Sequence, residues 1–413
     1  MQKLAIIGTG IAGMGCAHLL HKKYDVCLYE QNDYIGGHTN TATVEEDGIP
    51  VHFDTGFMVF NHATYPLLTA LFEEIKAPVK KTSMSFSVQH LSSGLEYCGS
   101  GLNGLFAQRK NLFNPRYIRM LMDINRFNKT SVRILDDPAY ATYSLRDYMK
   151  AFGFGKDMLW KYLIPMSSAV WSTPMERMLD FPAVSLIRFF KNHGFLGLDT
   201  QHQWYTLENG SQSYRERLIR PFREKIRVGC GARHVKTSEG KVVVSASDGS
   251  QITYDKVIFA CHADQTLALL DQPTAEEAAL LSPFKYQENI ATLHTDEALM
   301  PKTRSAWSSW NYRIGEQEGK LQPSTIYWMN SLQGPFGKTN YFVSIADGGA
   351  VNESKVIRRI RYEHPLFDVP AMQAQQELHR LNLSGPCYYC GSYFKYGFHE
   401  DAFASAVNLC RNL

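Results

Sequence analysis

The chain has 413 residues, with 43 Lys and Arg against 40 Asp and Glu, a formal net charge of +3, and 44% hydrophobic residues. A net charge this small does not indicate the strongly basic surface of a nucleic-acid-binding protein. No uninterrupted apolar stretch reaches the ~18 to 20 residues of a membrane-spanning helix. We therefore expect a well-packed cytoplasmic protein of two domains, or one large domain with insertions.

The first predicted elements form a dinucleotide-binding unit. A buried strand over residues 4–7 leads into G-x-G-x-x-G over residues 8–13, a helix over 15–21, and a strand over 25–29 that ends at Glu30. The Glu30 carboxylate is spaced to accept hydrogen bonds from ribose hydroxyls. A signal peptide is the alternative, but glycine and threonine interrupt the apolar run and no small-residue cleavage site follows.

Each glycine of this motif has a distinct predicted role. Gly8 allows a sharp turn off the strand, Gly10 allows close approach of a pyrophosphate, and Gly13 allows the helix to pack near the sheet. The helix N-terminus adds free amides and a positive dipole end at Ile11 and Ala12.

A second glycine loop distinguishes between dinucleotides. Gly36 and Gly37, followed by His38 and Thr39, are predicted to close over the pyrophosphate from the other side. An alternating strand over residues 51–61 then brings backbone against a flat ring. Both features favour an extended flavin nucleotide over NAD.

The elements downstream return to the same sheet. Residues 231–260 read as a meander that ends in a core strand, and residues 387–390 read as a final strand before a turn and a terminal helix. Between them, residues 63–199 show helical periodicity. Residues 285–384 mix strands, at 289–294 and 340–346, with a predicted helix over 352–364.

This order of elements resembles the FAD-binding fold shared by flavin amine oxidases, phytoene desaturases, protoporphyrinogen oxidase and UDP-galactopyranose mutase. The resemblance implies an α/β fold with a Rossmann-type, glutathione reductase-like FAD domain from residues 1–62, 200–284 and 385–413. It also implies a discontinuous α+β substrate domain from 63–199 and 285–384. FAD is the implied cofactor, and no metal is expected. The implied FAD contacts are Gly8, Gly10, Ile11, Ala12, Gly13, Glu30, Gly36, Gly37, His38, Thr39, Gly56, Phe57, Val235, Ala260, Gly391, Ser392, Phe398, His399 and Ala402.

One subfamily is more similar than the rest. The stretches that carry this similarity are residues 38–41, 53–57, 84–87, 165–169, 171–174, 326–330 and 397–401. They resemble predicted FAD-dependent oxidoreductases found beside cyclopropane fatty acid synthases, and the flavin-binding region of plant cyclopropane synthases. The resemblance implies lipid modification, and a cyclopropane-synthase-like partner, by association.

Two departures argue against an ordinary amine oxidase. Amine oxidases usually have Gly-Gly-Arg where this chain has His38, and Gly-Asp where it has Ser392. The first change weakens the positive charge facing the pyrophosphate, and the second removes a carboxylate from the phosphate and ribitol region.

Three residues are candidates for catalysis. His399 and Glu400 open the terminal helix, whose positive end is expected to face the flavin, and Lys285 lies where the resemblance places a lysine near flavin N5. The alternative for Glu400 is an ordinary first-turn helix residue. No second dinucleotide site is visible, so electrons are expected to leave through oxygen, a quinone or a protein carrier.

Two further regions suggest an apolar substrate. The apolar residues of 186–196 are predicted to line a core or a substrate tunnel. Five aromatic residues are predicted to wall a pocket for an acyl chain or to belong to the core, namely Trp171, Trp307, Trp310, Tyr327 and Trp328.

One segment is strongly basic. Residues 103–133 carry seven Lys and Arg against a single acid, Asp123, with apolar residues interleaved. This pattern favours either contact with anionic phospholipid, peripheral at the inner membrane face, or a solvated helix face.

The leading hypothesis is an FAD-dependent oxidoreductase that removes hydride from a fatty-acyl or phospholipid substrate to flavin N5. The alternatives are a non-redox flavin isomerase of the mutase kind, and a flavin-binding accessory partner of a lipid-modifying synthase.

Overall fold

The computed structural model describes residues 1–171, 173–197, 202–317, 320–334 and 336–413. The expected domain boundary at 199/200, and residue 172 of the 171–174 stretch, lie outside them. Within the described residues the strands are β1 Lys3–Ile7, β2 Asp25–Tyr29, β3 Thr41–Glu46, β4 Ile49–Asp54, β5 Phe60–Asn61, β6 Val79–Thr82, β7 Phe86–His90, β8 Leu95–Cys98, β9 Trp204–Leu207, β10 Ile226–Arg227, β11 Ala232–Ser238, β12 Lys241–Ala246, β13 Gln251–Tyr254, β14 Lys256–Phe259, β15 Lys285–His294, β16 Trp310–Gln317, β17 Lys320–Trp328, β18 Phe342–Ile345, β19 Val356–Leu366 and β20 Cys387–Tyr389.

Helices form much of the region between residues 100 and 192. In the part of the chain that the structure describes, the α-helices are α1 Ile11–Leu20, α2 Pro66–Glu74, α3 Gly101–Leu105, α4 Pro115–Thr130, α5 Leu145–Ala151, α6 Lys156–Met158, α7 Ile164–Trp171, α8 Met175–Met178, α9 Ala183–Asn192, α10 Gln212–Ile219, α11 Ala263–Leu269, α12 Ala275–Leu281, α13 Met329–Leu332, α14 Val369–Glu377 and α15 His399–Cys410.

A parallel sheet of five strands, in the order β10-β2-β1-β14-β20, forms the first half of the fold. Its strands come from three separate parts of the chain, so distant segments meet in one sheet. Residues 4–7 of β1 are all buried, as expected for a parallel strand covered on both faces. The predicted α/β class is therefore confirmed.

A mixed sheet of seven strands, in the order β19-β15-β18-β17-β16-β7-β8, forms the second half. It includes β15 and β18, so the strands predicted over 289–294 and 340–346 are confirmed. The helix predicted over 352–364 is wrong, because that segment forms β19 and pairs antiparallel with β15. Ile360 and Tyr362 are buried while Arg359, Arg361 and Glu363 are exposed, which is the period-two pattern of a strand.

Helix α1 packs between the parallel sheet and α15. Eight of its ten residues are buried, so it is apolar on all sides. A Cβ at Gly15 would lie 2.7 Å from the ring of Phe403 on α15, and Phe403 is buried. The glycine therefore sets how closely the two helices pack.

We expect Gly15→Ala to lower the free energy of unfolding by ~1 to 3 kcal/mol, because the new methyl overpacks against a buried ring. Urea unfolding monitored by circular dichroism measures the change. The matched control is Leu19→Ala on the same helix, where the side chain is 43% exposed. Equal stability of Gly15→Ala and the wild type would contradict this account of the α1–α15 contact.

Candidate functional site

A cavity of about 840 Å³ opens at the carboxyl ends of β1, β2, β14 and β20 and extends to the seven-stranded sheet. The carboxyl edge of a parallel sheet is where open α/β folds bind their ligands. Its volume falls within the usual range of ligand sites, ~300 to 1,000 Å³. The cavity is therefore the candidate functional site.

Two glycines of the first turn are required by packing. Gly8 has φ +101°, and a Cβ there would lie 2.8 Å from the carbonyl oxygen of Ala260. A Cβ at Gly13 would lie 2.0 Å from the carbonyl oxygen of Gly8. Gly13 therefore supports the turn from behind, and it does not line the cavity.

Gly10 leaves space for a ligand, and Gly37 lies beside it. A Cβ at Gly10 meets no protein atom within 4 Å, and a Cβ at Gly37 would lie 3.4 Å from Cα of Gly10. Gly10 is also the N-cap of α1, whose first amides have no partner within the helix. The two backbones thus form an open cradle beside a positive helix end, which fits a pyrophosphate.

Glu30 is fixed at the end of β2. Its Oε2 accepts hydrogen bonds from the backbone N and the hydroxyl of Thr9, and its Oε1 accepts one from Asn32 N at 2.9 Å. A carboxylate has about four acceptor positions, so Glu30 keeps acceptor capacity on Oε1. The buried side chain lines the cavity, as a ribose contact requires.

The second glycine loop is held by backbone contacts. Thr39 N donates to the carbonyl of Gly36 at 2.9 Å, and Phe57 N donates to the carbonyl of His38 at 2.8 Å. A Cβ at Gly56 would lie 2.3 Å from that His38 oxygen. Gly36 and Thr39 therefore shape the loop from behind, whereas His38, Gly56 and Phe57 line the cavity.

His399 lies where this loop meets α15. Its ring stacks on Phe57 with centroids 3.9 Å apart, and its Nε2 lies 2.9 Å from the hydroxyl of Tyr214 and 3.1 Å from that of Thr39. Burial lowers the pKa of His399 to about 3. The imidazole is therefore neutral at physiological pH, and it lines the cavity together with Phe398.

Two of the three candidate catalytic side chains lie elsewhere. Both oxygens of Glu400 accept hydrogen bonds, from the backbone N of Leu67 and of Leu68 at 2.9 Å each, so Glu400 caps the start of α2. Lys285 is an exposed residue at the start of β15. Neither lines the cavity, which corrects the expectation that they contact the reacting groups.

The expected contact at Val235 also needs correction. Its side chain is buried in the core and its carbonyl accepts from Asp271 N at 3.0 Å, whereas the cavity is lined by residues 231–233. Only the start of β11 reaches the cavity, because the strand then runs away from it as part of the meander.

Most of the expected FAD contacts line this one cavity. They are Gly8, Gly10, Ile11, Ala12, Glu30, Gly37, His38, Gly56, Phe57, Ala260, Gly391, Ser392, Phe398, His399 and Ala402.

The end of the cavity beyond Phe398 is aromatic. We call it the aromatic half and define it by Trp171, Phe189, Phe195, Trp310 and Tyr327. Phe189 lies 4.7 Å from Trp171 and stacks at 5.0 Å on Phe398, and Trp310 stacks on Tyr327 at 5.8 Å, all between ring centroids. Three of the five predicted pocket aromatics therefore line it.

The other two predicted aromatics, Trp307 and Trp328, pack against each other 5.3 Å apart in a separate cluster.

Strand β19 brings a group of residues to the cavity that the sequence analysis missed. His364 and Tyr362 line the cavity beside His38, whose ring stacks on Tyr362 at 4.9 Å. Burial lowers the pKa of His364 to about 4, and burial with neighbouring histidines holds the pKa of His38 well below its usual range. The strand alternation within residues 356–364 was the only local signal for these residues.

Comparison with known proteins identifies the family. Residues 11–355 match the family model described as flavin containing amine oxidoreductase. The chain therefore belongs to this family of FAD-dependent oxidoreductases, and FAD is its cofactor. A search of curated protein sequences found no match.

Several solved structures share the fold over the whole chain. Putrescine oxidase bound to putrescine is 14% identical, with a TM-score of 0.68, covering 100% of this chain and 98% of that one. Cyclohexylamine oxidase from Brevibacterium oxydans is 12% identical, with a TM-score of 0.70 and coverages of 100% and 99%. A CLA-producing fatty acid isomerase from P. acnes is 13% identical, with a TM-score of 0.70 and coverages of 100% and 98%. At these identities the similarity shows the fold.

The residues fit the cofactor of the family. The Gly10–Gly37 cradle and the start of α1 would hold the pyrophosphate, Glu30 would hold a ribose, and the start of α15 would lie nearest the flavin. Among the described residues, no group of three or more His, Cys, Asp or Glu side chains could hold a metal ion.

We expect Gly10→Ala to weaken FAD binding about tenfold or more, because the methyl fills space in the cradle; this corresponds to at least ~1.4 kcal/mol. The stability of the FAD-free protein should change by less than ~1 kcal/mol, since no protein atom contacts that position. Titration of apoprotein with FAD, with thermal unfolding in parallel, measures both. Wild-type FAD affinity in this variant would contradict the placement of the pyrophosphate.

The buried neutral His399 also makes stability depend on pH. Its folded pKa of about 3 is below the ~6.5 of an unfolded histidine, so its contribution is fully present above pH ~6.5 and is lost as the pH falls toward 3. We expect His399→Gln to reduce the slope of unfolding free energy against pH, between pH 6 and 4, by about 1.4 kcal/mol per unit.

Urea unfolding at saturating FAD measures this slope. The control His234→Gln removes an exposed histidine of β11 and should leave the slope as in the wild type. An unchanged slope in His399→Gln would show that His399 is protonated in the folded protein.

Proposed function

We propose that this FAD-dependent oxidoreductase acts on an apolar substrate, a fatty-acyl chain carried by a phospholipid, by removing hydride from that chain. The observation that supports this proposal is the aromatic half of the cavity, which is lined by aromatic rings and has no charged side chain among the described residues that define it.

The charges of the cavity lie in other places. Glu30 and Arg233 are at the glycine-turn end, because Arg233 is two residues after Gly231, where a Cβ would lie 2.8 Å from Cβ of Gln31. Glu288, Arg361 and Glu363 are exposed on β15 and β19. A cationic amine in the aromatic half would therefore meet no carboxylate from the described residues, whereas each buried CH₂ of an acyl chain gains ~0.8 kcal/mol.

The two histidines near the aromatic half are neutral. His193 stacks on Phe189 with centroids 3.8 Å apart, its Nδ1 lies 3.0 Å from the Phe189 carbonyl, and burial lowers its pKa to about 4. His399 is neutral for the same reason. These two histidines therefore add no charge to the part of the cavity that an uncharged substrate would occupy.

The chemistry divides between cofactor and protein. FAD, when bound, supplies a hydride acceptor. The aromatic half excludes water and orients the chain, and the start of α15 places a positive helix end beside the cavity. Asp401 accepts a hydrogen bond from Phe398 N at 3.0 Å and so fixes the first turn of that helix.

The alternatives to this proposal are non-redox isomerisation, a nucleotide-sugar mutase, and association with a synthase. The fold shared with a CLA-producing fatty acid isomerase supports a fatty-acyl substrate and also supports non-redox isomerisation as the second candidate. A mutase that binds a nucleotide sugar needs cations for a second pyrophosphate, and the aromatic half has none among the described residues. The proposed association with a cyclopropane-synthase-like partner rests on the sequence resemblance.

Flavin reduction without oxygen tests the proposal. Purified holoenzyme is mixed with detergent-dispersed phospholipids bearing saturated, monounsaturated or methyl-branched chains, and the flavin band near ~450 nm is followed. We expect bleaching with at least one acyl chain and none with putrescine or cyclohexylamine. Bleaching by the amines alone would contradict the proposal. Conversion of an acyl chain without bleaching would favour isomerisation.

A variant connects the activity to the aromatic half. Val170 lines the cavity beside Trp171 on α7, so we expect Val170→Trp to fill the pocket and lower acyl-dependent bleaching at least tenfold, with FAD retained. The control Val228→Trp makes the same change at a residue that is 43% exposed and does not line the cavity. Equal loss of activity in both variants would contradict a substrate role for the aromatic half.

A further inference from the structure

The start of α4 and the turn before it form an exposed surface that is both apolar and basic. Phe113 is 89% exposed, Met122 66% and Leu112 47%. Together with Pro115 and Ile118 they line a groove of about 750 Å³. Single exposed apolar residues are normal on a protein surface, but a contiguous group with a charged rim marks an interaction site. We call it the α4 surface and define it by Leu112, Phe113, Pro115, Ile118, Arg119, Met122, Asp123 and Arg126.

Local structure holds these side chains outward. Asn114 caps α4 by accepting hydrogen bonds from the backbone N of Arg116 at 3.1 Å and of Tyr117 at 3.3 Å. The opposite face of the helix is anchored in the core by Tyr117, Met120 and Phe127. The exposure of Phe113 is therefore fixed by the helix start.

The outer face of α4 is a stripe of helical spacing. Arg119, Met122, Arg126 and Lys129 follow one another at intervals of three or four residues, and all four are exposed. The stripe thus sets one large apolar side chain among three cations, the arrangement of an interfacial helix.

The positive charge of this region is largely uncompensated. Asp123 is its single acid, and it pairs with Arg126 at 3.1 Å. Arg116 pairs with Asp157 at 3.3 Å. Lys110, Arg119, Lys129 and Arg133 form no ion pair with the residues that the structure describes.

Arg126 has a structural role as well. It donates to the carbonyls of Phe152 and Gly153, at 3.0 Å each, and its guanidinium lies 4.1 Å from the ring of Phe154. The cations available to a partner are therefore the other exposed ones, with Arg119 and Lys129 on the stripe.

We propose that the α4 surface docks the enzyme on a bilayer of anionic phospholipid. Phe113 and Met122 enter the headgroup region, and Lys110, Arg119, Lys129 and Arg133 contact lipid phosphates. Charge complementarity favours this occupant, because a second copy of the same surface would bring like charges together. The inference concerns binding alone and does not rest on the proposed substrate.

Such docking is peripheral. No helix among the described residues is long and apolar enough to cross a membrane. Anchoring by a few side chains and a basic stripe is reversible, and salt screens its electrostatic part. Binding should therefore depend on both the anionic lipid content and the ionic strength.

Vesicle co-sedimentation of the holoenzyme tests the proposal. We expect binding to vesicles with 30% phosphatidylglycerol in phosphatidylcholine, little binding to pure phosphatidylcholine, and a loss of at least tenfold between low and high salt. Equal binding to both vesicles, or binding to neither, would overturn the proposal. Self-association in light scattering that Phe113→Ser abolishes would also overturn it, by assigning the surface to a second copy.

Two variants separate the apolar and basic parts. Because each cation near an anionic surface adds to the attraction, and a carboxylate in its place is repelled, we expect Arg119→Glu with Lys129→Glu to weaken vesicle binding at least tenfold. Phe113→Ser should weaken it severalfold without changing the salt dependence.

The controls make substitutions of the same kind at exposed residues outside the α4 surface. Leu383→Ser removes an apolar residue that is 77% exposed at another site, and Arg411→Glu reverses an exposed charge at the end of the chain. Both should bind vesicles like the wild type, and all variants should keep the wild-type FAD absorbance. Equal weakening by the controls would overturn the assignment to the α4 surface.

Discussion

Close backbone approach at the carboxyl end of β1 is the constraint on which the rest of the structure depends. The carbonyl of Gly8 leaves no room for a Cβ at Gly13, and the carbonyl of Ala260 leaves none at Gly8. These contacts fix α1 against the turn. They also hold β14 beside β1, although the paired residues Leu4 and Lys256 are far apart in the sequence. Gly10 is then left facing open space, and Gly37 lies against it. The cradle for the cofactor therefore results from a turn that is tightly packed at Gly8 and Gly13 and open at Gly10.

The cavity joins two different environments. At the glycine-turn end, backbone amides and a fixed carboxylate suit a charged, hydrogen-bonding cofactor. Beyond Phe398, stacked rings and histidines kept neutral by burial suit an uncharged substrate. The seven-stranded sheet supplies much of this second environment, so the substrate wall can differ between family members while the first turn stays the same.

Local patterns in the sequence predicted the parts of the molecule that are built locally. The unit from Gly8 to Glu30, the meander and the final strand all follow from the spacing of glycine and apolar residues. The features that the sequence did not predict depend on contacts between residues that are far apart in the chain. Glu400 reads as a first-turn residue of its own helix, and only the fold shows that it caps α2. The segment over 352–364 has an ambiguous pattern, and pairing with β15 makes it a strand that brings Tyr362 and His364 to the cavity. The contact at Val235 was implied by the family resemblance, and in the fold only the start of β11 reaches the cavity.

The central claim is that one continuous cavity holds FAD at its glycine-turn end and an acyl chain in its aromatic half. A crystal structure of the holoenzyme with a bound fatty acid tests it most directly. We expect a pyrophosphate against the adjoining backbones of Gly10 and Gly37, and an acyl chain against Phe189, Trp310 and Tyr327. An acyl chain bound elsewhere, with the aromatic half closed by its own side chains, would contradict it.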